Sequence, residues 1–202
     1  MAILLKDAIK PNLVQTLSGT PAIIHGGPFA NIAQGCNSII ATKLAMTYAD
    51  YTITEAGFGA DLGAQKFLDT KCLLADIKQN AVVIVATVKA LKLHGGLDKE
   101  NLKEENIDAL SKGMQNLIKH IENIKDVYKL PVVVAINKYT TDTNNEINLI
   151  KKEVTNLGVN AIEVDVWAKG GWGATNLAEE VINLCEKNNN FSFSYYKIKY
   201  HC

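Results

Sequence analysis

Several places in this sequence carry side chains or backbone suited to chemistry. Ala22–His25 is apolar enough for a buried strand, Gly26-Gly27-Pro28 breaks it, and small residues from Asn31 onward read as a helix. A strand that ends in a glycine turn and opens a helix leaves unpaired N–H groups aimed at one spot, which suits an anion. Glu55 and Asp61 flank Gly57-Phe58-Gly59. Carboxylates at a strand end beside phosphates position a magnesium ion or its waters, while Asp61 equally reads as a helix cap. Tyr139, behind Asn137-Lys138, and Trp167, behind Asp165-Val166, each follow a strand directly. Two such rings would hold a flat ring between them, worth about 0.5–1.5 kcal/mol beyond the area buried. Taken alone, Trp167 also reads as a core tryptophan at a strand end.

The elements that must position these residues follow from periodicity. Leu4–Ser18 reads as a helix interrupted at Pro11, which forfeits a backbone donor and restricts the residue before it. Strands are predicted over Ala22–His25, Asp50–Thr54, Ala81–Val88, Leu130–Ile136 and Ala161–Val166. AVVIVATV is a nearly continuous apolar run, the pattern of a central parallel strand covered on both faces. Helices are predicted over Asn31–Tyr48, Leu62–Asp76, Asn144–Leu157 and Asn176–Lys187, with one long helix or a helix pair in Asp98–Asp126. Thr143 and Glu146 have capping-box spacing, and Gly158 is a natural stop. Strands alternating with helices imply an α/β fold, a doubly wound, mostly parallel sheet with helices on both faces. Ligands bind such sheets beyond the carboxyl ends of the strands. That rim is where Phe29, Asn31, Glu55, Lys89, Asn137, Lys138, Tyr139, Trp167, Lys169 and Gly170 fall.

Composition narrows the function. Lys plus Arg and Asp plus Glu number 21 each, so no global field draws in nucleic acid or an acidic membrane. No apolar run reaches the roughly 18 residues of a membrane span, and MAILLKDAIK lacks the basic lead and cleavage site of a signal peptide. Cys36, Cys72, Cys185 and Cys202 are too scattered for a zinc site or a small disulfide scaffold, so reduced thiols in a cytoplasmic protein are expected. The sequence divides into residues 1–187 and a tail, 188–202, where composition shifts to an asparagine run and then alternating aromatics and lysines. Fraying is the expectation for that tail.

HGGPFANIAQGCNS, EAGFGADLGAQKF (Glu55–Phe67), VATVKALKLHGG (Val85–Gly96) and VWAKGG (Val166–Gly171) stand in this order. Together they closely resemble the formate–tetrahydrofolate ligase family, nearly unbroken from Ala2 to about Cys185. The resemblance implies a P-loop NTPase-like fold and an ATP-dependent ligation. Formate attacks the γ-phosphoryl group to give formyl phosphate, and the folate amine then attacks its carbonyl, giving 10-formyltetrahydrofolate, ADP and phosphate. It implies Phe29 and Asn31 as walls of the formyl phosphate pocket and Tyr139 with Trp167 as the pterin slot. Lys89 would meet a phosphoryl group. Asn137, Lys138, Lys169 and Gly170 would be nucleotide or phosphate contacts, and Glu55 a contact for Mg2+. It also implies a cytoplasmic homotetramer. The chain departs from the family pattern at Gln34 (usually histidine), Lys89 (arginine), Tyr139-Thr140 (phenylalanine-proline) and Trp172 (a charged or small residue).

The family's P-loop lies upstream of the region resembled, and G-x-x-x-x-G-K-S/T does not occur in these 202 residues. The chain is therefore expected to be an internal fragment, inactive alone and reliant on an upstream P-loop-bearing segment. The alternative is a non-catalytic remnant that keeps the fold and oligomer contacts. A GTPase-like switch is disfavoured. Asn137-Lys138 begins an N-K-x-D guanine reader, but Thr140 stands where the aspartate is needed.

Overall fold

A computed structural model describes residues 3, 6–24 and 36–194. These fall into two compact units, one within Met1–Lys78 and the other Gln79–Ser194.

The first unit departs most from expectation. Beyond Pro11 the chain does not resume a helix; β1 (Asn12–Gln15) pairs antiparallel with β2 (Pro21–Ile24). Gly19 takes a φ of 81°, and Thr16 and Thr20 close the turn through Thr16 N to Thr20 O at 3.0 Å. That left-handed position is free of steric cost only for glycine. The predicted first strand is thus half of a hairpin with exposed residues on both strands, rather than a buried member of the parallel sheet. Helix α1 runs Ile39–Tyr48; of the predicted Asn31–Tyr48, residues 31–35 lie outside the described residues and 36–38 are not helical. Ser38 begins it by accepting from Ala41 N at 3.1 Å, and Asn37 Oδ1 takes Ser38 N, so short polar side chains hold the backbone at residues 37 and 38 out of the helix. Residues 50–54 form no strand. Their β-branched side chains have no partner strand to pack against, and Ile53 is exposed. The predicted helix 62–76 is present but wound unevenly, with π-type turns at Ala60–Ala64 and Phe67–Cys72 before Leu73–Ala75. Asp61 sits inside the first turn and makes no side-chain cap bond. Lys71 is buried here, donating to Thr42 Oγ1 at 2.8 Å with its ammonium 5.0 Å from the Phe67 ring centre. Burial pushes its pKa down, against the pull of the Cys36 and Cys72 thiols.

The second unit is the α/β body. Strands β3 (Val82–Ala86), β4 (Val132–Asn137) and β5 (Asn160–Val164) form a parallel sheet in the order β3-β4-β5. Between β3 and β4 lie α2 (Val88–His94) and α3 (Ile107–Glu122); α4 (Asn144–Asn156) links β4 to β5. The short α5 (Val166–Lys169) and then α6 (Thr175–Cys185) follow. Two right-handed crossovers stepping the same way place α2, α3 and α4 on one face. Helix α6, packed on β4 and β5, covers the other. The strand order never reverses among the described residues, so the predicted double winding is not what this sheet displays. Nor is AVVIVATV the strand covered on both faces. It lies at the end of the order, with Val83 and Val85 exposed, whereas Val132–Ile136 is buried throughout. A continuous apolar run does not distinguish an edge from a centre.

Local signals in this unit are accurate. Thr143 and Glu146 form the reciprocal capping box of α4, and Gly158 takes a φ of 69° after it. Helices α2 and α3 pack closely because Gly113 has no side chain; a Cβ there would run into Leu91 O. Residues 188–194 of the predicted tail are tied down. Asn189 Nδ2 donates to Gln79 O (3.1 Å), Ser192 N to Tyr128 O (3.3 Å), and Phe191 meets Phe193 edge-on.

Candidate functional site

The carboxyl ends of β3, β4 and β5 deliver three of the predicted residues in order. Lys89 stands three residues past β3, Tyr139 two past β4, and Trp167 three past β5. Lys89 Nζ lies 4.3 Å from the centre of the Tyr139 ring, within cation–π range. Tyr139 is 45% exposed and Trp167 86%, so Trp167 is not the core residue its position also permits.

The Tyr139 turn is held from inside. Asp142 Oδ2 accepts from Tyr139 N at 2.8 Å, and Asp142 N donates to Tyr139 O at 3.0 Å. Asp142 is buried, and its Oδ1, like Thr141 Oγ1, has no partner among the described residues. Burial raises its pKa, and Glu146 adds to that; the Tyr139 amide and the charges of Lys89 and Lys92 oppose it.

Below this turn, Lys92 and Glu146 form an ion pair of 2.8 Å with both side chains fully buried. Lys92 also donates to Glu104 O at 2.8 Å, and the Glu146 carboxylate accepts from Asn106 N and Thr143 N, each at 3.1 Å. Burial alone would raise the Glu146 pKa; the Lys92 ammonium and the two amides outweigh it, and the carboxyl lies below its ordinary value.

The remaining cations are already neutralised. Lys138 Nζ meets Glu163 Oε1 at 2.7 Å, and Lys151 meets Glu163 Oε2 at 3.4 Å. The hydrogen bond to Glu163 raises the Lys138 pKa, and the same bond lowers that of Glu163. Lys169 lies 3.6 Å from Asp165 Oδ2, and Gly170 turns the chain after it with a φ of 57°. Asn137 is the last residue of β4, half-buried and level with Val164. Glu55, in the first unit, is exposed and makes no ion pair among the described residues. Phe29 and Asn31, with His25 and Gln34, lie outside the described residues.

A family model for formate–tetrahydrofolate ligase matches residues 1–200. The chain belongs to the formate–tetrahydrofolate ligase family. This is a family of carbon–nitrogen ligases that join formate to tetrahydrofolate with ATP, part of one-carbon metabolism. Among the described residues no helix is long and apolar enough to cross a membrane.

Two contributors escaped the sequence reading in part. Lys92 carried a signal, because it follows Val88 by four residues and so shares the buried face of α2 with Val88 and Leu91. Asp142 carries no such signal, because its bond to Tyr139 N depends on the path of one turn.

Proposed function

We propose that this chain is the folate- and nucleotide-handling portion of a formate–tetrahydrofolate ligase. Tyr139 and Trp167 flank the pterin, and Asn137, Lys138, Lys169 and Gly170 line the anionic side; Lys89, expected at a phosphoryl group, is assigned instead to the Tyr139 ring it touches. The observation that carries this reading is the delivery of two exposed aromatic rings to the same edge of adjacent strands in a chain of this family. The chemistry has two displacements. A formate oxygen bonds to the γ-phosphorus as the bond to ADP breaks; the folate amine then bonds to the formyl carbon as phosphate leaves. Phe29 and Asn31 wall the acyl phosphate from water, which would otherwise hydrolyse it.

Glu55 fits a place beside Mg2+, since its carboxylate is exposed and unclaimed, and one such oxygen donor beside phosphate and water is a common arrangement. Such an ion would supply charge neutralisation along the phosphates. The same reading carries with it a P-loop NTPase-like fold, a homotetrameric assembly and a cytoplasmic location.

A second reading, a non-catalytic remnant, is favoured by one observation: Lys138 and Lys169 already have carboxylate partners. Tryptophan fluorescence separates the two. In a Trp172→Phe background, folate should quench Trp167 saturably, and Trp167→Phe should abolish the signal. No saturable quenching at millimolar folate would leave the remnant standing.

A further inference from the structure

We propose that Lys89 and Asp142 are positioning residues that make Tyr139 a one-sided stacking platform, Lys89 covering its β3-side face and leaving the face toward β5 for the ligand. This deepens the folate reading above and rests on it. The strand order supplies the sides. Tyr139 follows the middle strand, Lys89 an outer one and Trp167 the other. A ring has two π faces, and an ammonium 4.3 Å from its centre claims one of them. A flat heterocycle is then confined to the other, on the side where the second exposed ring stands.

Lys89 is suited to this duty because its charge is not spent elsewhere. Lys92, Lys138 and Lys169 each have a carboxylate within 4 Å, whereas among the described residues Lys89 has no ion pair.

Asp142 supplies the second constraint. Thr140 leaves the backbone after Tyr139 without the fixed φ that proline would impose. The reciprocal bonds between residues 139 and 142, side chain to amide at 2.8 Å and amide to carbonyl at 3.0 Å, fix the turn instead. Asp142 is only 9% exposed, so solvent competes little for the bond.

The test uses the full chain with folate as the probe, in two measurements. The first is NMR of 13C-labelled lysine. The Lys89 ε-protons should be shifted upfield by the Tyr139 ring current, the shift should vanish in Tyr139→Leu, and it should persist when folate is bound. The second is affinity by calorimetry. Lys89→Met and Asp142→Ala should each weaken folate binding about two- to fivefold. Lys89→Arg should restore most of the loss by stacking on the ring, and Asp142→Asn, which keeps the acceptor for Tyr139 N, should bind like the wild type. Collapse of the upfield shift on folate binding would place ligand and ammonium on one face and overturn the proposal. So would wild-type affinity in Lys89→Met, or an Asp142→Asn variant as weak as the alanine. Those failures leave the folate reading intact. Absence of folate binding by the wild-type chain sinks both.

Discussion

Lys92–Glu146 and Lys138–Glu163 are ion pairs of nearly the same length, 2.8 and 2.7 Å, in the same unit of the fold. The first is sealed on all sides; the second is about one-third exposed at both ends. Length therefore says little about what each pair does. Between two fully buried charges attraction is strong, but so is the cost of dehydration, and losing one partner strands the other. At the rim, water replaces a lost partner cheaply. The buried pair is part of the frame that joins α2, the 104–106 segment and α4 beneath the Tyr139 turn.

The largest expected effect comes from breaking the frame. Glu146→Leu or Lys92→Met should each cost about 3–5 kcal/mol in urea unfolding, and the double variant should recover most of it. Singles as mild as those at the rim would erase the distinction. Gly113→Ala, which forces Leu91 O and α2 away from α3, should cost about 1–3 kcal/mol by the same measurement. Thr143→Ala removes half of the capping box and should cost about 1 kcal/mol. Lys138→Met should cost no more than about 1 kcal/mol, and the difference from wild type should shrink at high salt.

Acid sharpens the contrast within a single turn. Glu146 titrates below its ordinary value of 4.5 in the fold, so its stabilisation is complete above that value and is lost as pH falls through the depressed one. Asp142 is shifted the other way, above 3.8. Its favourable contribution is complete below 3.8 and disappears as pH rises through the raised value. Thermal melts across this range should therefore show Glu146→Gln flattening the acid loss. Asp142→Asn should instead gain relative to wild type toward neutral pH.

Legibility in the sequence followed the range of the interaction. The capping box at Thr143 and Glu146, the stop at Gly158 and the apolar runs that become β3, β4 and β5 are local features spanning a few residues, and all could be read off directly. The hairpin at 12–24 was misread because Leu13 and Val14 suit either helix or strand, and the pairing with Ala22 and Ile23 decided it. Asp50–Thr54 failed for the converse reason, good strand composition without a partner. The edge position of β3 depends on what lies beside it, which its own residues do not encode. At the site, strand ends could be found from periodicity, so Lys89, Tyr139 and Trp167 were reachable. The Asp142 clamp and the Glu163 bridge required side chains to be placed in three dimensions.

The parallel sheet has a kinetic corollary. Val82 finds Val132, and Val133 finds Asn160, only after long intervening stretches of chain have been gathered in. No tight turn seeds either pairing, so the entropy of closing each loop falls due before any ladder forms. The contact of α2 with α3 through Gly113 joins segments nearer in sequence. That helical pair should therefore assemble early in refolding, with β4 settling between its neighbours in the rate-limiting event.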